Sequence, residues 1–166
     1  MSQTQTRTLT ITPRDEREIV MTRAFDAPRR LVFDAWTKPE LSRRWFGPRS
    51  WQLMECEIDL REGGSWRYVM HGPEGAIMVM HGVFAQVVVP ERLVSTESFD
   101  DDWTGGETLV TSAFDEHGGV TTVTSTTVYA SRAARDAALE SGMERGVAEG
   151  YDRLAELLAL TDGLSS

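Results

Sequence analysis

Residues 65–89 read SWRYVMHGPEGAIMVMHGVFAQVVV, and this stretch decides the fold. Trp66, Tyr68 and Met70 alternate with Arg67, Val69 and His71, the period of two that marks a strand with one apolar face. Gly72-Pro73-Glu74-Gly75 is a run of turn residues, and Ala76–Val89 continues as a long strand with Met78, Met80 and Phe84 on one face. Gly82 predicts a bend within it. Two strands joined by so short a connection lie antiparallel.

Working outward, the same grammar repeats. Gly63-Gly64 separates Ser65–His71 from an earlier strand, Trp51–Asp59. Pro90-Glu91 turns into Arg92–Phe99, and the acidic, glycine-containing stretch 100–106 is a loop carrying Trp103. Glu107–Asp115 and Val120–Tyr129 form a last hairpin around His117-Gly118-Gly119. Towards the N-terminus, Glu16–Phe25 reads as the first strand. Residues 1–15 read as a flexible tail, in which the alternation of Leu9 and Ile11 is interrupted by Pro13. Asp26 is an expected N-cap, with Pro28 in the first turn of a helix bearing Leu31, Val32, Ala35 and Trp36. Pro39 opens a second short helix carrying Leu41 and Trp45, ended by Gly47-Pro48. After Ser131, Leu139, Met143, Val147, Tyr151, Leu154 and Leu158 recur at helical steps, predicting one helix of about 40 Å. Gly142, Gly146 and Gly150 lie on or beside its apolar stripe. Each costs about 1 kcal/mol against alanine, so a close approach by a neighbour or a ligand is expected there. The predicted order is one strand, two short helices, six strands and a long helix, which makes a two-layer α+β domain over residues 16–160, with 161–166 as a C-terminal tail.

Composition narrows the function classes. The chain has 166 residues, 40% of them hydrophobic, enough for one packed domain. A formal net charge of -9 argues against nucleic acid and against an anionic membrane surface. No long apolar run predicts membrane insertion, and no leader pattern is visible, so a cytoplasmic setting is expected. The lone Cys56 sits in an apolar alternating run and reads as a buried, inert thiol. His71, His81 and His117 have no metal-ligand spacing and are expected to face outward, and Asp100-Asp101-Asp102 reads as a solvated loop. No cofactor is expected.

Several runs together resemble a known family. They are Arg23-Ala24-Phe25-Asp26-Ala27-Pro28, Val32-Phe33-Asp34-Ala35-Trp36-Thr37 with Pro39-Glu40, and Arg44-Trp45-Phe46-Gly47-Pro48. Ile58-Asp59-Leu60-Arg61 with Gly63-Gly64, Pro90-Glu91-Arg92-Leu93, and the helix from Gly142-Met143 to Asp152-Arg153-Leu154 complete the set. The chain resembles the SRPBCC, or START-like, superfamily in its activator of Hsp90 ATPase homologue-like branch. The resemblance implies a helix-grip fold, a curved antiparallel sheet of about seven strands closing on the terminal helix around a cavity. It also implies a small apolar cargo. It does not imply one reaction, since the superfamily includes carriers, receptors and cyclases. Val147 departs from the pattern, because many relatives carry tryptophan after the helix glycine.

The expected ligand-binding residues are Trp45, Phe46, Trp51, Met54, Trp66, Tyr68, Met70, Met80, Phe84, Glu97, Trp103, Phe114, Met143, Gly146, Val147 and Tyr151. Taken singly, each aromatic or methionine reads as core. Taken together they suit an apolar pocket. Trp103 reads equally as a lid over the cavity mouth and as an anchor for its loop. Arg23 and Glu97 are read as facing solvent, with a mutual ion pair as the inward alternative. The leading functional expectation is a small apolar, lipid-like or aromatic ligand, bound by a monomer or weak homodimer. A cyclase- or hydrolase-like enzyme using Glu97, Tyr68 or a histidine ranks second. A chaperone cofactor or stress-linked accessory ranks third. A Gly146→Trp substitution is expected to fill the cavity without unfolding the chain.

Overall fold

The computed structural model describes residues 6–101 and 103–164, with side chains to residue 160. Eight strands form one open antiparallel sheet: β1 (Thr10–Arg14), β2 (Glu18–Phe25), β3 (Gln52–Ile58), β4 (Ser65–His71), β5 (Ile77–Val88), β6 (Arg92–Phe99), β7 (Thr108–His117) and β8 (Val120–Val128). Their order is β1-β2-β8-β7-β6-β5-β4-β3. Two helices, α1 (Arg29–Thr37) and α2 (Pro39–Ser42), link β2 to β3, and α3 (Arg132–Glu140) and α4 (Met143–Leu164) end the chain. The expected helix-grip arrangement is present.

The strand pairing follows the alternation. Trp66, Tyr68 and Met70 of β4 stand opposite Gly82, Met80 and Met78 of β5, and the apolar sets of the two strands share the inner face. The bend expected at Gly82 falls slightly later, as a register shift between Phe84 and Gln86. β8 reads VTTVTSTTV, and its inward positions are Thr121, Val123, Ser125 and Thr127, all buried. Two of these hydroxyls meet partners: Thr121 donates to the Ala27 carbonyl at 2.7 Å, and Ser125 meets Ser112 of β7 at 3.2 Å.

Four expectations about elements are corrected. The stretch expected to be a tail contains an eighth strand: Thr10–Arg14 pairs with β2, and Pro13 is tolerated because β1 is an edge strand. Residues 1–5 of that tail lie outside the described residues, as do Asp102 of the acidic loop and residues 165–166 of the expected C-terminal tail. The α4 backbone continues to Leu164, past the expected end of the domain. The single long helix is two, broken at Ser141-Gly142, where Gly142 takes φ +85°, a conformation that ends a helix readily only as glycine. Asp26 does not cap α1, since the N-cap position is Pro28 and the Asp26 carboxylate pairs with Arg7 at 2.6 Å. Ser131 does cap α3, accepting from the Ala134 N–H at 3.0 Å.

The other two helical glycines have a structural reason. A Cβ on Gly150 would lie 3.3 Å from the backbone N and O of Gly47, and one on Gly146 would lie 3.1 Å from Pro48 Cγ. Thus α4 passes closely over the segment that follows α2, rather than over the sheet itself. Arg153 locks this contact. Its guanidinium donates to the carbonyls of Gly47 at 3.0 Å, Pro48 at 3.2 Å, Trp51 at 3.3 Å and Arg44 at 3.3 Å. Arg153→Met keeps the stem and removes the donors. It is expected to lower stability by about 2–3 kcal/mol in urea unfolding, since bonds to a charged donor are lost and the carbonyls are left to water. A loss under about 0.5 kcal/mol would show that water satisfies the segment equally well.

Candidate functional site

A cavity of about 340 Å³ lies between the sheet, α4 and the segment carrying Trp45 to Trp51. One wall is aromatic: Trp36 stacks near Trp45 at 4.8 Å and Tyr151 at 5.6 Å, and Phe46 follows Trp45 at 5.6 Å. Trp45 is held in place by its indole N–H, which donates to the Ala35 carbonyl at 2.9 Å, where Ser42 Oγ also donates at 3.0 Å. A second wall is soft, made by Met21, Met70, Met78, Met80 and Met143. The floor from β7 and β8 brings the hydroxyls of Ser112, Ser125 and Thr127, with Tyr129 at its end.

Of the sequence-predicted residues, Trp45, Phe46, Trp51, Met70, Met80, Glu97, Trp103, Met143, Gly146, Val147 and Tyr151 line this cavity. Trp66, Tyr68, Phe84 and Phe114 do not: they are buried in the layer behind it, where Tyr68 packs on Phe46 at 5.0 Å and Trp66 on Tyr68 at 5.1 Å. Met54 is 44% exposed, because the β3 register places Leu53 and Cys56 inward and Met54 outward at an irregularity between Leu53 and Glu55. The Gly146→Trp expectation also changes, since a side chain there would start against Pro48. Val147 is the better position for filling the cavity.

Sequence reading missed Trp36, Phe99, Ser112, Ser125, Thr127 and Tyr129 as lining residues. The alternation along β7 and β8 was the available signal. It was obscured because the inward positions there are hydroxyls, so apolarity did not mark the face.

Trp103 is partly buried, packs on Phe99 at 5.0 Å and joins the small cluster of Ile19, Met21, Tyr129 and Ala138. It anchors its loop and forms cavity wall together; its indole Nε1 is buried with no hydrogen-bond partner among the described residues. Arg23 does not meet Glu97. It is buried, bonds Asp152 at 2.8 Å and lies over the Phe25 ring at 5.0 Å. Cys56 is buried as expected, and burial pushes its thiol up to about 11, far from reactivity. His71, His81 and His117 are exposed. Among the described residues no cluster of three or more His, Cys, Asp or Glu could hold a metal ion.

Glu97 projects into the cavity from β6. Burial alone pushes its carboxyl from 4.5 up to about 7. The linkage sign follows. The folded state holds the proton more tightly than the unfolded chain, so Glu97 contributes full stability below about pH 4.5, and that contribution is lost as pH rises to about 7. Glu97→Gln removes this titration. The variant is expected to gain on the parent by up to about 3 kcal/mol between pH 4.5 and 7.5, read as the pH dependence of the urea midpoint. A parallel pair of curves would mean that Glu97 is solvated.

A larger groove of about 650 Å³ crosses the outer side of the sheet at Glu57, Arg67, His81, Thr96, Ser98 and Glu107. Its charges are already engaged in part, Arg67 with Glu55 at 3.7 Å and His81 with Asp100 at 3.5 Å. The inner cavity is the one built as a ligand site, since apolar walls with a few convergent polar groups are what such sites require.

An open antiparallel sheet gripping a terminal helix over an apolar cavity defines the START-like class of cavity proteins. The model of the activator of Hsp90 ATPase homolog 1-like family matches residues 26–159, and the chain belongs to that family. Among solved structures, a protein from Rhodobacter sphaeroides is 34% identical with a TM-score of 0.85, the match covering 92% of this chain and 99% of that one. A protein from Staphylococcus epidermidis is 30% identical with a TM-score of 0.78, covering 90% and 93%. A Nitrosomonas europaea protein is 25% identical with a TM-score of 0.81, covering 91% and 99%. No curated protein matches the chain. No helix among the described residues is long and apolar enough to cross a membrane.

Proposed function

We propose that the chain binds a small hydrophobic ligand in the cavity between the sheet and α4. The observation that supports this best is the 340 Å³ space itself, walled by tryptophan, phenylalanine and methionine and left unfilled by the chain's own side chains. An apolar cleft of this size with a few polar groups on its lining is the form that small-molecule sites take. Trp36, Trp45, Trp51 and Trp103 all border it, which makes intrinsic fluorescence a direct reporter. Titration with a panel of small apolar compounds is expected to give a saturable change in tryptophan emission. A folded protein that responds to none of them would overturn the reading. A cytoplasmic setting, with Cys56 kept reduced, belongs to the same proposal.

A second reading is enzymatic and rests on Glu97. A buried carboxyl titrating near neutrality is suited to general acid–base work. It predicts turnover of a bound compound that Glu97→Gln abolishes while leaving the compound bound. A chaperone partnership, which the family's description suggests, needs an apolar docking face. Among the described residues the exposed large apolar side chains are Met54 on β3, Leu60 after it, Ile77 and Val83 on β5, Val89 after β5, Leu109 on β7 and Leu160 on α4, spread over different elements.

A further inference from the structure

Among the described residues the cavity lining carries one carboxylate and no base. Glu97 stands among aromatic rings and thioethers, and no lysine, arginine or histidine lines the space with it. Two arginines are buried, and neither lines the cavity: Arg135 bonds Asp136 at 2.7 Å, and Arg23 bonds Asp152 through Nη1 at 2.8 Å, its Nε having no partner among the described residues. No hydrogen-bond donor among the described residues holds the Glu97 carboxyl, and burial is its sole perturbation. A carboxylate placed in an apolar cavity without a partner is costly, and a site for hydrocarbon alone has no use for it.

We propose that the ligand is an apolar amine, its ammonium group set against Glu97 and its hydrocarbon body filling the space between the sheet and α4. This rests on the reading of the cavity as a ligand site. Three features of the site favour a cation over other head groups. An ammonium supplies the counter-charge that the carboxylate lacks. The faces of Trp45, Phe46 and Trp103 supply further attraction for a cation in a water-poor space. The formal net charge of -9 draws cations toward the protein and repels anions. A fatty-acid carboxylate would meet a like charge with no cation on the described lining to neutralise either group, so it is disfavoured. A neutral alcohol offers one hydrogen bond but no charge.

The titratable groups around Glu97 leave its pH behaviour to burial alone. They are the phenols of Tyr68 on β4, Tyr129 after β8 and Tyr151 on α4, each pushed upward by burial and therefore neutral throughout the physiological range. Glu97 is then the group that titrates, and the amine selects its ionised form and releases a proton on binding. Affinity for an amine is expected to rise about tenfold from pH 6 to pH 8, following the ionised fraction of a group titrating near 7.

The test uses the full chain and four compounds sharing one body: phenylbutylamine, phenylbutanol, butylbenzene and phenylbutyrate. Tryptophan fluorescence at pH 8 is expected to rank the amine at least about tenfold tighter than the alcohol, with phenylbutyrate weakest. Glu97→Gln, checked for cooperative unfolding, is expected to bring the amine down to the level of the alcohol and to abolish the pH dependence. The proposal is overturned if phenylbutyrate binds as tightly as the amine, or if the amine preference survives in Glu97→Gln. Butylbenzene or phenylbutanol binding without any amine preference would overturn the head-group assignment and leave the ligand-site reading standing. Binding by none of the four would count against both.

Discussion

Gly82→Ala is expected to lower stability by about 3–5 kcal/mol, a loss large enough to threaten the folded state of a domain this size. A single added methyl group is responsible. The Cβ would lie 1.8 Å from the Thr96 carbonyl oxygen and 2.7 Å from both the Thr96 carbonyl carbon and Trp66 Nε1. The first of these is a backbone atom and cannot rotate away. Relief requires β5 to separate from β6 where Val83 N–H already turns to Thr96 Oγ1 at 2.9 Å in place of a ladder bond. β6 carries Glu97 and Phe99 into the cavity, so the strain would also reach the ligand site. Urea unfolding of the purified variant, or its failure to accumulate as folded protein, measures the effect. A midpoint within about 1 kcal/mol of the parent would mean that the two strands are not held this closely.

Val147→Trp is expected to reduce ligand affinity by about 100-fold or more while leaving a cooperatively folded chain. Val147 sits on α4, partly buried, bordering the cavity and packed against both hydrophobic clusters. An indole at this position has empty space to enter, unlike one at Gly146, which would first meet Pro48 Cγ at 3.1 Å. Filling the cavity removes the site without removing a contact, so stability is expected to change by no more than about 1–2 kcal/mol. Ligand titration and urea unfolding on the same preparation separate the two outcomes. Undiminished binding in a folded Val147→Trp protein would place the ligand elsewhere, with the outer groove at Arg67 and Thr96 as the next location to probe.

Much of the site was legible because its residues obey a simple alternation. Trp45, Met70, Met80 and Tyr151 each sit where an apolar periodicity points to one face, and that face proved to border the cavity. The same signal could not separate lining from core. Trp66, Tyr68, Phe84 and Phe114 share the inner face yet lie one layer behind, because depth along a curved sheet depends on which rings arrive from α1 and α2 to cover them. Met54 shows the reverse failure, where a local register irregularity turns an apolar residue outward.

What the amino-acid order determined by itself is the list of elements and their amphipathic faces, since these rest on local periods, on proline and glycine punctuation and on short connections. The antiparallel sheet, the paired short helices and a terminal apolar helix stripe all follow from those. Tertiary structure alone decided the rest. It decided that Gly146 and Gly150 make room for Pro48 and Gly47, that Arg153 ties four carbonyls of one segment, and that Arg23 finds Asp152. It also decided that Glu97 lines the cavity with no other charged side chain among the described residues. Each of these is a meeting of groups distant in the chain, and whether a buried charge is paired or left for a ligand is set by which distant groups arrive beside it, a quantity that no local period encodes.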